Sequence, residues 1–356
     1  MITTYQQALD YLYSFIAGER QTPRPPPELN LTRTAALLSA MGEPQRAFPS
    51  VIVAGTKGKG STCAMIEAMA RESGLRVGLW TSPHLHSYRE RIQVHRRLIA
   101  QGELVRLVEL ARPHVDDVTR ATGGAPVTFA IGFAVAMRYF AEVGVDLAVL
   151  EVGLGGRYDS ANVVAPILSV ITSISYDHLD ILGDTLTQIA WQKAGVMKRG
   201  VPTATLRQDP EAMRVLEAYA AEVGAELHVV RDEADRQPSA TDRQGMVPAG
   251  GASVAEPHGD TAVDLASLHL GLAGSYQRDN ALLSLGAARL LRRSLALTDA
   301  GIASGLANVR WPGRMEVVGG EPPVVVDGAH NGDSARRLLE SLGELFPGRR
   351  LVLVFG

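Results

Sequence analysis

Residues 51–62 read VIVAGTKGKGST, and this stretch constrains the fold more tightly than any other. β-Branched residues Val51, Ile52 and Val53 pass straight into a turn carrying Gly55, Gly58 and Gly60. A helical pattern over 62–73 follows without a spacer. A strand that empties through glycines into a helix predicts a βα unit of a sheet, with the loop at the strand's carboxyl end. The glycines let the backbone turn tightly and aim its N–H groups inward, where a helix N-terminus receives an anion. Gly55, Thr56, Lys57, Gly58, Lys59, Gly60, Ser61 and Thr62 are therefore candidate phosphate-binding residues. Lys59 would reach the terminal phosphates, and the Ser61 and Thr62 hydroxyls would face Mg²⁺ or a phosphate. This predicts a cradle for ATP or GTP.

The loop departs from the ordinary G-x-x-x-x-G-K-[ST] pattern at two places. Val53 stands where the first glycine belongs, and Gly60 where the hydroxyl residue belongs. A ligand-free turn is the alternative, but Lys57 and Lys59 in so tight a turn would repel each other without an anion.

Along the chain, strand-like runs at 51–54, 76–80, 146–151, 167–174, 202–205 and 227–230 alternate with helical patterns. The helical patterns fall at 62–73, 102–112, 127–142, 186–198 and 210–222, after N-terminal helices at 4–16 and 33–41. This alternation predicts an α/β fold: a P-loop-type parallel sheet flanked by helices. Residues 23–27, PRPPP, read as a stiff connector. Residues 231–263 are rich in Gly, Pro, Asp and Ala and read as a surface insertion. Helices at 279–292 and 298–308 follow, then a strand at 324–327, a helix at 334–345 and a strand at 351–355, the opening β-α-β of a second domain. The expected division is 1–310 and 311–356, with the second unit incomplete and the chain truncated relative to a working enzyme.

The 356 residues suit two domains, and the net charge of −3 gives no support for nucleic acid or an anionic membrane as partner. Cys63, the single cysteine, excludes an intramolecular disulfide and reads as a buried structural thiol. The N-terminus has no basic segment followed by an apolar core, and no run is long enough to span a bilayer. A cytoplasmic monomer is the expectation.

The loop variant G-T-K-G-K-G-S resembles the nucleotide loop of the Mur ligase superfamily, specifically of folylpolyglutamate synthase/dihydrofolate synthase. Further blocks carry the resemblance in order from about residue 35 to 356. Thr81-Ser82-Pro83-His84-Leu85 is similar to a substrate loop whose serine also binds magnesium; Ser82, Pro83 and His84 are the implied contacts. Arg89-Glu90-Arg91-Ile92 matches a form found in some members. Glu151-Val152-Gly153-Leu154-Gly155-Gly156-Arg157-Tyr158-Asp159 matches E-V-G-x-G-G-R-x-D without a gap. Glu151 ends an apolar strand as a hard oxygen ligand for Mg²⁺, with Arg157 and Asp159 beside the substrate. In Asp177-His178 the resemblance makes His178 a ligand to a second magnesium, although imidazole favours softer metals. Lys193, in a K-A-G-V segment, takes the place of a lysine that CO₂ carbamylates into an anionic ligand. Gln277, Asn280, Arg314, Asp327 and His330 fall in segments that close on the nucleotide, with Tyr276 and Gly332 departing from the histidine and proline usual there.

The resemblance implies a further Rossmann-like portion, ATP and Mg²⁺ as cofactors, and a folate or dihydropteroate plus L-glutamate as substrates. The implied reaction is amide formation through an acyl phosphate, with Lys59, Lys193 and His178 catalytic and Ser61, Ser82, Glu151 and His178 as metal ligands. Two rivals stand beside it: a Mur-type ligase using another amino acid, and a nucleotide- or folate-binding remnant without ligase activity. A P-loop kinase or GTPase fits less well, because the loop breaks the ordinary pattern.

Overall fold

A computed structural model describes residues 1–16, 26–232, 259–263 and 268–355. The central feature is a nine-stranded sheet. Its parallel core has β2 (Val77–Trp80), β5 (Leu147–Glu151), β1 (Ser50–Ala54), β6 (Leu168–Ile171), β7 (Pro202–Thr205), β8 (Glu226–Asp232) and β9 (Gly259–Val263) side by side. At the β2 edge, β3 (Ile92–Val94) and β4 (Arg97–Leu98) add an antiparallel hairpin that the sequence reading did not anticipate. Its turn is His95–Arg96, both with positive φ (50° and 60°), the mirror-image turn that matches strand twist.

β1 is buried along its length, and its side chains alternate between two cores. Ile52 and Ala54 join Trp80, Phe133 and Phe140 on one face, under α4 (Gln101–Thr122) and α5 (Thr128–Val143). Val51 and Val53 join Met65, Met69 and Leu306 on the other, under α3 (Lys59–Glu72), α9 (Tyr276–Leu291) and α10 (Asp299–Asn308). Burial on both faces explains why the strands read as continuous apolar runs. Truncating Ile52 to alanine would cost ~2–5 kcal/mol by the usual penalty for a core cavity. Cys63 is fully buried in the second core, and burial raises its thiol pKa well above the ordinary value, as an inert structural thiol requires.

α1 (Tyr5–Tyr13) begins at the capping box of Thr4 and Gln7, and α2 (Glu28–Ala40) starts earlier than its apolar pattern suggested. Other boundaries shift for physical reasons. α4 continues through Pro113, where sequence reading ends the helix, because Leu104, Leu107, Val108, Ala111, Val115 and Val118 extend one buried stripe past it. α3 begins at Lys59, so residues 59–62 form its first turn rather than a preceding loop. α6 (Leu179–Leu182), α7 (Leu186–Ala194) and α8 (Pro210–Val223) join the first core through Leu182, Ile189 and Leu216.

The expected insertion at 231–263 is narrower than its composition implied. Residues 231–232 end β8 and 259–263 pair with it as β9, the backbone ladder overriding a weak side-chain pattern. Residues 233–258, like most of the proline-rich connector, lie outside the described residues. The C-terminal segment also differs from expectation. β10 (Glu316–Val317) pairs antiparallel with β11 (Val325–Val326), α11 (Gly332–Leu345) follows, and 351–355 forms no strand. With no parallel neighbour among the described residues, the 351–355 backbone has nothing to pair with, and its apolar side chains are exposed.

Candidate active site

Parallel strand order places the loops after β2, β5, β1 and β6 on one rim, at the carboxyl ends of neighbouring strands. These loops carry four of the sequence blocks. The C-terminal segment lies across them, closing a cleft of about 480 Å³. Thr56, Lys57, Gly58, Lys59, Gly60, Ser61, Ser82, Pro83, Glu151 and His178 line it from the sheet side. Asn280, Arg314, Asp327 and His330 line it from the other.

The glycine loop is pinned by backbone geometry. Gly55 has φ +144° and Gly58 φ +85°, and a Cβ at either position would collide with Thr172 or Asn280 respectively. Thr56 donates through its N–H to the Ser173 carbonyl at 2.8 Å and through Oγ1 to the Ser175 carbonyl at 3.0 Å. Lys59 Nζ folds back to donate to the carbonyls of Gly55 and Thr56 at 3.1 and 3.3 Å. The resulting turn points the first N–H groups of α3 into the cleft beside an ammonium, an arrangement that attracts anions.

Facing the loop, Glu151 ends β5, buried, and accepts from the Ser82 N–H at 2.9 Å. Burial raises its pKa, and Lys59 pulls it back down. Asp177 pairs with Lys57 at 3.5 Å and accepts from Asn331 Nδ2 at 3.4 Å. His178, with φ +48°, sits 4.0 Å from the same carboxylate, half exposed. From the far wall, Asp327 accepts from Tyr276 Oη at 3.1 Å and from the N–H groups of Met315 and Ala329, both at 2.8 Å. Arg314 lies against Gly328, where any side chain would strike its guanidinium, and His330 Nδ1 is 2.9 Å from the Gly328 carbonyl.

Several expected residues stand behind this surface. Gln277 is fully buried; its Nε2 donates to Ser61 Oγ at 3.3 Å, and its Oε1 accepts from Asn280 at 2.8 Å. It supports the loop rather than facing a base. The Thr62 hydroxyl is buried without a hydrogen-bond partner. Lys193 is buried in α7 and donates to the Gly55 carbonyl at 2.9 Å. Burial first, and Lys59 second, lower its pKa from 10.5 to about 7.

Three residues expected at the substrate do not line the cleft. His84 Nδ1 accepts from Arg91 Nε at 2.9 Å, holding the ring to its own loop. The Arg157 guanidinium stacks 3.7 Å from the Trp191 ring and 4.5 Å from Tyr219. Asp159 is buried and accepts from the N–H groups of Gly153, Leu154 and Ala161 at 3.1, 3.0 and 2.9 Å. Burial raises its pKa to about 6 against those bonds. In this geometry the carboxylate shapes the loop that follows β5. A larger hollow of about 640 Å³ lies beside Trp191 and Tyr219, away from the glycine loop and its lysines.

The cleft also contains Gly153, Asp177, Tyr276, Ser334 and Arg337, which sequence reasoning did not single out as site residues. Asp177 and Tyr276 stood inside blocks already recognised. Arg337 had no signal, because only tertiary folding turns α11 toward the loop.

For a divalent cation, one wall offers hard oxygens: the hydroxyls of Ser61 and Ser82 and the Glu151 carboxylate. No group of three or more His, Cys, Asp or Glu side chains suited to hold a metal occurs among the described residues. This donor set fits a cation that completes its shell with water and phosphate oxygens, not a protein-caged one.

Fold and cleft together define an α/β protein with a candidate phosphate-binding cleft, and the family matches place it among the Mur ligases. The Mur ligase middle domain family matches residues 53–288, and the Mur ligase glutamate ligase domain family matches 313–356. The dihydrofolate synthase/folylpolyglutamate synthase of Bacillus subtilis is 38% identical over 358 residues, covering 100% of this chain and 80% of that protein. Among solved structures, an FPGS–AMPPCP–folate complex aligns with TM-score 0.81 at 32% identity, covering 97% of this chain and 81% of that one. Mycobacterium tuberculosis folylpolyglutamate synthase complexed with ADP aligns with TM-score 0.77 at 29% identity, covering 95% and 73%. The chain belongs to the folylpolyglutamate synthase/dihydrofolate synthase family of Mur ligases. No described helix is long and apolar enough to cross a membrane.

Proposed function

We propose that the cleft binds ATP and Mg²⁺ and that the chain works as an ATP-dependent amide-forming ligase, adding L-glutamate to a folate. The observation that carries this reading is the juxtaposition of Lys59 and Ser61 with Glu151, Ser82 and Arg314 around one cavity. That wall matches what phosphoryl transfer needs, which is positioned charge rather than a protein nucleophile. Bound folate and an ATP analogue in one relative, and ADP in another, support the same assignment.

Each residue then has a task set by its place. Lys59 leaves the loop carbonyls to meet the terminal phosphates, and the α3 N–H groups hold them. Ser61, Ser82 and Glu151 would hold Mg²⁺, which when bound would offset charge on the transferring group. A folate carboxylate attacks the γ-phosphorus and gives an acyl phosphate with release of ADP; the glutamate amine then attacks the acyl carbon and releases phosphate. Arg314 supplies a forked donor toward phosphate. Asp327 and His330 meet the nucleotide from the C-terminal side. Asn280 borders both loop and nucleotide.

Lys193 has a lowered pKa, so much of it is neutral near pH 7, and a neutral amine is the form that reacts with CO₂. Its carbamylation to an anionic ligand is part of this reading, as is a cation role for His178. A pterin or folate contact by His84, Arg157 and Asp159 requires the loops that carry them to meet substrate outside the nucleotide cleft. Units of 1–310 and 311–356, with the cleft between them, fit the two matched families. The expectations of a monomer and of a cytoplasmic location rest on the sequence alone.

The test is folate- and glutamate-dependent phosphate release from ATP, with mass spectrometry of the pterin product. A product heavier by one glutamyl residue, lost in Lys59→Ala, is the expected result. Nucleotide binding without a heavier product would instead favour the binding-only reading.

A further inference from the structure

Gly60 occupies the place where the ordinary phosphate-loop pattern has a serine or threonine, and the structure gives a reason. A Cβ at Gly60 would sit 3.0 Å from Nε1 of Trp311, tighter than a relaxed packing contact. Trp311 opens the 311–314 hinge, which leads from the α/β body to Arg314 in the cleft. The indole is in turn held from a third segment. Arg96, at the left-handed turn between β3 and β4, places its guanidinium 5.2 Å from the Trp311 ring centroid. The same side chain donates through Nη2 to the Arg310 carbonyl at 2.7 Å. Glu67, buried in α3, supplies the opposing charge.

One guanidinium thus ties together the edge hairpin, the hinge and, through the indole, the first turn of α3. We propose that Arg96 is a positioning residue for nucleotide binding, acting through Trp311 on Gly60 and through the Arg310 carbonyl on the approach of Arg314. The planar fork matters, because it stacks on the ring while donating along its edge, which an ammonium cannot do in the same geometry. Arg96 touches no reacting group and does not line the cleft. Its effect should therefore appear in nucleotide affinity more than in the affinity for folate.

This inference rests on the cleft being a nucleotide site, and the experiment separates the two. Dissociation constants for a non-hydrolysable ATP analogue would be measured for wild type, Arg96→Ala, Arg96→Lys, Trp311→Phe and Lys59→Ala, each with its melting temperature. Arg96→Ala is expected to weaken analogue binding about tenfold, as the loss of a cation–π contact and a charged hydrogen bond would give, with folate binding unchanged. Arg96→Lys should recover only part of that loss. Trp311→Phe should fall between wild type and Arg96→Ala. If Lys59→Ala weakens binding while Arg96→Ala and Trp311→Phe do not, the positioning role is refuted and the nucleotide site stands. If Lys59→Ala has no effect, the site itself is misread. A loss in Arg96→Ala that follows its melting temperature and is fully restored by Arg96→Lys would also overturn the proposal, because charge alone would then suffice.

Discussion

Lys193 allows a stability prediction whose sign depends on pH. Its ammonium is buried in α7, and its pKa falls from 10.5 to about 7 because burial penalises the charged form. Below pH 7 the folded and unfolded chains both hold the proton, so the folded state carries the full cost of a buried cation. Between about 7 and 10.5 the unfolded chain binds more protons, so stability rises with pH through that window. A gap of roughly 3.5 pH units at ~1.4 kcal/mol per unit sets that cost at ~5 kcal/mol. Lys193→Met removes the charge at nearly constant volume, and the Gly55 carbonyl keeps Lys59 as a donor at 3.1 Å. Denaturant unfolding of both proteins at pH 6, 7.5 and 9, in bicarbonate-free buffer, measures the difference. The variant should be the more stable by a few kcal/mol at pH 6, and its advantage should shrink at each step upward. An advantage independent of pH, or a wild type more stable at pH 6, would refute the reasoning about burial.

Four further outcomes follow from the same geometry. Gly58→Ala forces a side chain into a left-handed backbone and against Asn280, so ATP affinity should drop at least about fivefold in a direct binding titration, consistent with strain of ~1–3 kcal/mol. Tyr276→Phe removes one of three donors to Asp327 while leaving those of Met315 and Ala329; a loss of ~1 kcal/mol in nucleotide binding, a few-fold in Kd, is expected by calorimetry. Asp159→Asn can keep its amide oxygen on the N–H groups of Gly153 and Leu154 only by turning its NH2 toward the N–H of Ala161, so thermal melting at pH 7 should show ~1–3 kcal/mol of destabilisation. Added bicarbonate should raise the rate of wild type and leave Lys193→Met unchanged in the phosphate-release assay.

Much of the site was legible because its chemistry is local. Glycines at 55, 58 and 60 and a lysine at 59 must lie within one turn of each other whatever the rest of the chain does. Glu151 ends an apolar run, so its carboxylate had to emerge at a strand's carboxyl end. Less local features were harder to read. Pro113 looked like a helix stop, yet tertiary burial of the stripe around it outweighs the lost hydrogen bond. The 351–355 run looked like a strand, but a strand needs a neighbour, and apolar alternation alone does not provide one. Gln277 and Asp159 were expected to face ligand, but in the folded chain both are buried and bonded to the loops beside them.

By itself, the sequence determined the α/β alternation, the anion-binding turn and the set of charged groups around it, because each depends on residues close in the chain. It determined family membership for the same reason, since ordered motifs survive as text. Only the tertiary structure decided which of those groups share the cleft and which stand behind it. Only the folded chain brought Arg96 and Trp311 to Gly60, and turned Arg337 toward the loop. Those relations join segments hundreds of residues apart, and they are fixed by how the two apolar faces of the sheet are covered rather than by local propensity.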